Sequence, residues 1–264
     1  MDEGGRRETA PVRLYALDTG VIECADYAMF SPSAGPDEYR EMSVRSYLVV
    51  HPEGTLLWDT GIDDEIAWLE AGLRVLPPIV FRVPRTLRHQ LRELGIAPDR
   101  VDVVGLSHLH VDHVGNVGLF PQARVLLQRA EYAAGYGPDP QRFTLIPDTY
   151  AALDRDRIEA IDGEHDVFGD GRVVMTPLPG HTPGHQGLLV VLPETGPVLL
   201  AGDIAYSEAD YAASAVRADN VDLDASRRSI ENAKALERDT GARVWLHHDL
   251  DAQRTVRTAP SFYS

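Results

Sequence analysis

Ser107-His108-Leu109-His110-Val111-Asp112-His113 places three histidines and an aspartate within six residues, directly after the apolar run Val101 to Leu106. The run reads as a buried strand, so His108 stands at or just past its carboxyl end. His108 and His110, two residues apart, project the same way, while Asp112 and His113 lie where the chain turns toward Gly115 and face a second position. That spacing suits two adjacent metal ions. Imidazole donors favour zinc, iron, cobalt or nickel over magnesium, and an added carboxylate raises the tolerance for iron or manganese. Without a cation the same groups would repel one another when protonated and be hard to satisfy when buried.

Further along the chain the same arrangement recurs. Arg172 to Leu178 is strand-like and leads into Gly180-His181-Thr182-Pro183-Gly184-His185, whose Gly and Pro signal a tight loop around His181. Pro197 to Ala201 ends in Gly202-Asp203, and Ala242 to Leu246 ends in His247-His248-Asp249. Four apolar strands thus each deliver a histidine or an aspartate at their carboxyl ends. Strands are also expected at Val12 to Leu17, Val44 to Val50, Thr55 to Trp58, Arg124 to Gln128 and Gln186 to Leu192. Helices are expected at Pro84 to Leu94 and Asp224 to Asp239, with apolar residues at helical spacing ahead of Gly95 and Gly241. The clean eightfold alternation of a TIM barrel is not visible. Strands in runs with helices between them point instead to two sheets packed face to face with helices outside.

The set His108-x-His110-x-Asp112-His113, His181 in Gly-His-Thr-Pro-Gly-His, the Gly202-Asp203 pair, a late His and the early turn Leu57-Trp58-Asp59-Thr60-Gly61 resembles the metallo-β-lactamase superfamily over nearly the whole chain. Within it the sequence is most similar to N-acyl-homoserine lactonases. Three details carry that: the opening Leu14-Tyr15-Ala16-Leu17-Asp18-Thr19-Gly20, Tyr206 three residues after Asp203, and a last candidate ligand in a His-Asp pair. Val111 departs from the pattern, in a slot where related lactonases often carry Phe.

The resemblance implies an α/β (α+β) fold, the αββα sandwich of two mixed sheets with helices on the outer faces. It assigns His108, His110 and His181 to one metal, and Asp112, His113 and His248 to the other, with Asp203 bridging. His248 is preferred to His247 because only His248 precedes an aspartate; His247 is left to line the site or to support it from behind. Two divalent ions, zinc first and iron, manganese or cobalt as alternatives, would share a water, lower its pKa to about 7 and generate a bridging hydroxide. That hydroxide would open the lactone ring. The Tyr206 hydroxyl would donate to the oxygen where charge develops, and Asp112 would carry the proton to the leaving alkoxide. A short γ-lactone hydrolase, a thioesterase or an organophosphate hydrolase would use the same site.

The remaining candidates read as support. Asp59 is expected to close a turn or orient a ligand histidine, and His185 to be a core or supporting residue. His51, His89 and His165 read as ordinary surface or loop residues. Cys24, the only cysteine, excludes an intramolecular disulfide and fits a reducing compartment. The apolar segment Trp68 to Phe81, with Met29 and Phe30, is expected to cover a pocket for an acyl chain, to pack ordinarily, or to form a dimer interface.

Composition agrees with one catalytic unit spanning residues 1–264, with no linker or repeat. A net charge of −16 opposes nucleic-acid binding. Residues Met1 to Ala10 are polar and charged, as in a loose terminus, and no run reaches the ~18 apolar residues of a membrane span. The expectation is a cytoplasmic enzyme acting on a small, acylated lactone, free of membrane, and a homodimer if the apolar segment is an interface.

Overall fold

Alternation along the strands builds the layers. In β3 (Gly54–Trp58), Leu56 and Trp58 enter one apolar cluster while Leu57 enters another, because successive side chains of a strand leave opposite faces. The computed structural model describes residues 11–264, so the stretch 1–10, expected to be loose, lies outside the described residues.

The first sheet has eight strands in the order β4-β5-β1-β2-β3-β6-β7-β8. They are β1 (Arg13–Cys24), β2 (Arg40–His51), β3, β4 (Leu73–Leu76), β5 (Ile79–Arg82), β6 (Val103–Gly105), β7 (Arg124–Gln128) and β8 (Ile158–Ile161). The second sheet has five, in the order β13-β12-β11-β10-β9, formed by β9 (His165–Asp166), β10 (Val173–Pro177), β11 (Gln186–Leu192), β12 (Gly196–Leu200) and β13 (Arg243–Trp245). Both are mixed: β3, β6, β7 and β8 pair in parallel, as do β12 and β13, and the remaining pairs are antiparallel.

Between the sheets lies a core of Leu14, Tyr47, Trp58, Val103 and Leu126 from the first against Met175, Leu188, Val190 and Leu200 from the second. The outer face of the first sheet is covered by α1 (Leu87–Glu93) through Leu87 and Leu91, by α2 (Val111–Val114) through Val114 and by α3 (Arg129–Gly135) through Ala134. The outer face of the second is covered by α5 (Leu223–Thr240) through Ile230 and Ala233. Two short helices, α4 (Glu208–Ala213) and α6 (Leu250–Gln253), follow β12 and β13. This is the four-layered αββα arrangement that the pattern of strands and helices implies.

The strand directions decide where chemistry can sit. β10, β12 and β13 all run the same way across the second sheet, and β3 runs with β6 across the first. Residues just past their carboxyl ends, Asp59, His108, His181, Asp203 and His248, therefore meet along one rim.

The expected strands are all present, with β1 running on to Cys24, but β4, β5, β8 and β9 are additional. β4 and β5 come from the apolar segment Trp68 to Phe81: Ile79 and Phe81 are buried with Tyr206, whereas Trp68, Leu69, Leu73, Val75 and Leu76 point outward. His51 is a correction to its surface reading. It is 5% exposed, stacked on Phe168 at 4.2 Å and paired with Asp170 at 3.0 Å. Among the described residues no helix is long and apolar enough to cross a membrane.

Close backbone approach fixes the metal-motif helix. Gly115 has an ordinary helical φ of −57°, so only contact requires glycine there: a Cβ would lie 2.2 Å from the Asp63 amide nitrogen and 2.7 Å from the Gly61 carbonyl oxygen. Gly115→Ala is expected to cost about 1–3 kcal/mol, read as a lower denaturation midpoint at unchanged m-value.

Candidate metal centre

His108 follows β6, His110 caps α2, and Asp112 and His113 lie in its single turn. The Nε2 atoms of His108 and His181 each stand 2.9 Å from His110 Nδ1. Beside this triad, Asp112 Oδ2 is 3.6 Å from His113 Nε2 and 3.4 Å from His248 Nε2. Asp203 joins the two groups: its Oδ2 lies 3.6 Å from His181 Nε2 and 3.0 Å from His248 Nε2, and its Oδ1 3.3 Å from His113 Nε2. All seven expected ligands thus converge, and none is left outside.

The outward-facing nitrogens explain the inward ones. His110 Nε2 donates to the Phe143 carbonyl at 3.0 Å, His113 Nδ1 to Asp59 at 2.9 Å, His181 Nδ1 to Asn220 Oδ1 at 3.1 Å and His248 Nδ1 to the Ser43 carbonyl at 2.9 Å, while His108 Nδ1 meets the Ser107 hydroxyl at 2.9 Å. An imidazole that spends its N–H outward presents a lone pair inward, the form a metal requires. Two atoms test the fit directly. His113 Nε2 and Asp203 Oδ1 are buried and have no aligned hydrogen-bond partner, an expense that buried polar groups normally avoid and that a cation between them would remove.

The charge distribution is two-sided. Burial and neighbouring imidazoles hold His108 and His181 well below the usual histidine range, so that half is neutral. Burial opposes charge on His113 and His248 as well, but Asp203 and Asp112 override it and push both upward. Those carboxylates create a negative potential suited to a divalent ion.

Supporting residues behave as expected. Asp59 accepts from the Ser107 amide at 2.7 Å and hydroxyl at 2.8 Å as well as from His113. His185, pushed down to about 4 by burial, donates through Nδ1 to the Leu178 carbonyl and accepts the Asp203 amide at Nε2. His247 lies behind His113, ring centroids 4.3 Å apart, and its Nε2 faces the Arg45 amide. Its ring is near enough to His113 and His248 to complete an all-histidine triad, but His248 is the one that meets both carboxylates.

Two residues here carry no sequence signal. Glu131, fully buried on α3, accepts from the Leu109 amide at 3.0 Å, the Thr182 hydroxyl at 2.7 Å and the Gly184 amide at 2.9 Å, tying the His108 loop to the His181 loop. Arg217 reaches the Tyr206 hydroxyl at 2.8 Å. One lone Glu on a helix and one lone Arg in a loop have no periodicity or spacing to mark them.

Tyr206 itself is buried, its ring stacked on His248 at 4.8 Å and its hydroxyl donating to Asp203 Oδ2 at 2.8 Å. The Tyr27 hydroxyl holds its carbonyl at 2.9 Å.

The sequence from residue 39 to residue 241 matches the Metallo-beta-lactamase superfamily. An N-acyl homoserine lactonase, AttM, of Azorhizobium caulinodans is 34% identical over 96% of this chain and 98% of its own. The lactonase AiiA of Bacillus thuringiensis subsp. kurstaki is 26% identical over 95% and 98%. Among solved structures, an N-acyl homoserine lactone hydrolase with the product N-hexanoyl-L-homoserine bound at its catalytic metal centre superposes with a TM-score of 0.81 at 25% identity, over 96% of this chain and 99% of the other.

Asp59→Asn replaces an acceptor of three hydrogen bonds by a group that must present a donor to one of them. Cation affinity on the His113 side is expected to fall about 10–100-fold, measured by competition with a chromophoric chelator.

Proposed function

The chain belongs to the metallo-β-lactamase superfamily, and from that premise we propose that it opens the lactone ring of N-acyl-homoserine lactones at a dinuclear metal centre. The observation that carries the reading is the bridging position of Asp203 between two donor triads, with the Tyr206 hydroxyl 2.8 Å away. One ion would be held by His108, His110 and His181, the other by Asp112, His113 and His248, and Asp203 would be shared. The imidazole-rich donor set favours zinc, with iron, manganese and cobalt tolerated. Bound divalent ions would supply Lewis acidity and lower the pKa of a water to near neutrality.

The protein's own groups organise the rest. Tyr206 presents its hydroxyl beside Asp203, where it can donate to the carbonyl oxygen as that oxygen gains charge. The Asp112 side chain, 12% exposed, faces the same space and can take the proton of the attacking water. As the ring C–O bond breaks, that proton passes to the departing alkoxide, leaving a hydroxyl and a carboxylic acid that loses the water's second proton to solvent at neutral pH. Beside Tyr206, the buried Ile79 and Phe81 and the partly buried Phe30 and Val111 form an apolar wall. That wall supports an acylated substrate, since each methylene buried contributes about 0.8 kcal/mol.

The whole chain acts as one unit, because the site takes ligands from loops of both sheets. The outward apolar side chains of the β4–β5 hairpin support a homodimer. A net charge of −16 speaks against nucleic acid as a partner, and a single buried, unpaired cysteine is in keeping with the cytoplasm.

Metal-loaded protein should convert N-acyl-homoserine lactones to ring-opened acids, identified by mass, faster than it turns over thioesters, phosphotriesters or β-lactams. Loss of lactone turnover on chelation and its return with added metal are expected. A metal-replete preparation that acts on one of the other substrates and leaves lactones intact would contradict the reading. Tyr206→Phe and Asp112→Asn should each lower kcat by about 10²-fold, with a smaller change in KM.

A further inference from the structure

Arg217 lies on the loop between α4 and α5 with only 15% of its side chain exposed. Its guanidinium carbon stands 4.7 Å from the ring centroid of Phe30 and 4.9 Å from that of Tyr206, two rings that are themselves 5.4 Å apart. Nη1 donates to the Tyr206 hydroxyl oxygen at 2.8 Å, while Nε and Nη2 grip the two carboxylate oxygens of Asp219.

Two simpler roles fit this arrangement less well. An anion receptor would offer a guanidinium with unspent charge, but the fork of Arg217 is already engaged by Asp219 in the bidentate geometry that satisfies it. A packing role would need the aliphatic stem and the ring contacts; it would not need a donor aimed at one particular oxygen. The hydrogen bond to Tyr206 is the contact left over, and it has a directional consequence. With an N–H of Arg217 filling a lone pair of the hydroxyl oxygen, the hydroxyl proton must point elsewhere, and the available acceptor is Asp203 Oδ2 at 2.8 Å, on the metal-ligand side. A cationic donor on the oxygen also polarises the O–H bond and makes it a stronger donor in turn.

We propose that Arg217 is a positioning residue for Tyr206, aiming the phenolic proton into the site and strengthening its hydrogen bond to the oxygen that gains charge as the ester bond is attacked. This rests on the reading in which Tyr206 donates to the substrate. Asp219 completes the device by holding the guanidinium in place.

The test is a double-mutant cycle on the metal-loaded enzyme, with metal content measured for every variant. Arg217→Met keeps a long stem against Phe30 and Tyr206 and deletes the donor; Arg217→Lys keeps the cation. Arg217→Met is expected to lower kcat on the order of tenfold, with KM changed by less than about twofold. Arg217→Lys should recover part of that loss. In a Tyr206→Phe background, the further effect of Arg217→Met should shrink to less than about twofold. An equal loss in both backgrounds, or a loss confined to KM, would overturn the proposal while leaving the role of Tyr206 standing. A Tyr206→Phe variant as active as its parent would remove both. Should Arg217→Met bind less metal than its parent, Arg217→Lys carries the same comparison: the proposal requires a kcat loss that disappears with the phenolic hydroxyl, and a loss that survives without it refutes it.

Discussion

Five imidazoles and two carboxylates turned toward one another in a largely buried space are tolerable only around cations. That constraint organises the structure. Neighbouring donor atoms of the site lie 2.9–3.6 Å apart, within reach of a common ion. Each histidine is held from behind by an oxygen, which fixes its ring orientation toward the shared space. The cost of burying such a set is of the kind that proteins accept at functional sites.

The scaffold meets this constraint through strand direction and close contact. Parallel pairing of β3 with β6 and of β12 with β13 delivers ligands from two sheets to one rim. Contacts that only glycine permits then bring the loops together: a Cβ at Gly184 would stand 2.2 Å from the Glu131 amide nitrogen, as one at Gly115 would from Asp63. Glu131 is the polar counterpart of those contacts. Its carboxylate is shifted upward by burial and held against that shift by donors from both ligand loops, so it couples the spacing of His108 to that of His181.

The parts of the molecule that repeat a pattern were legible in its sequence. His108, His110, Asp112 and His113 declare themselves by spacing, and His181, Asp203 and His248 by the apolar runs that precede them. Of the two adjacent histidines, His248 is the one that stands 3.4 Å from Asp112 and 3.0 Å from Asp203. What escaped was long-range or short. β8 and β9 have four and two residues, too few to show a period. The β4–β5 hairpin has an apolar composition but sends much of it outward, which no alternation announces. His51 has no neighbour in sequence to suggest Phe168 or Asp170, and Arg217 meets Tyr206 only through the fold.

The proposed centre has a definite geometry: two ions, two triads, one shared carboxylate. Anomalous diffraction from crystals of the metal-loaded protein, collected on both sides of the metal absorption edge, measures it directly. Two peaks per chain are expected, one among His108, His110 and His181, the other among Asp112, His113 and His248, with Asp203 touching both. A single peak, or a second ion held by His247 in place of His248, would contradict it.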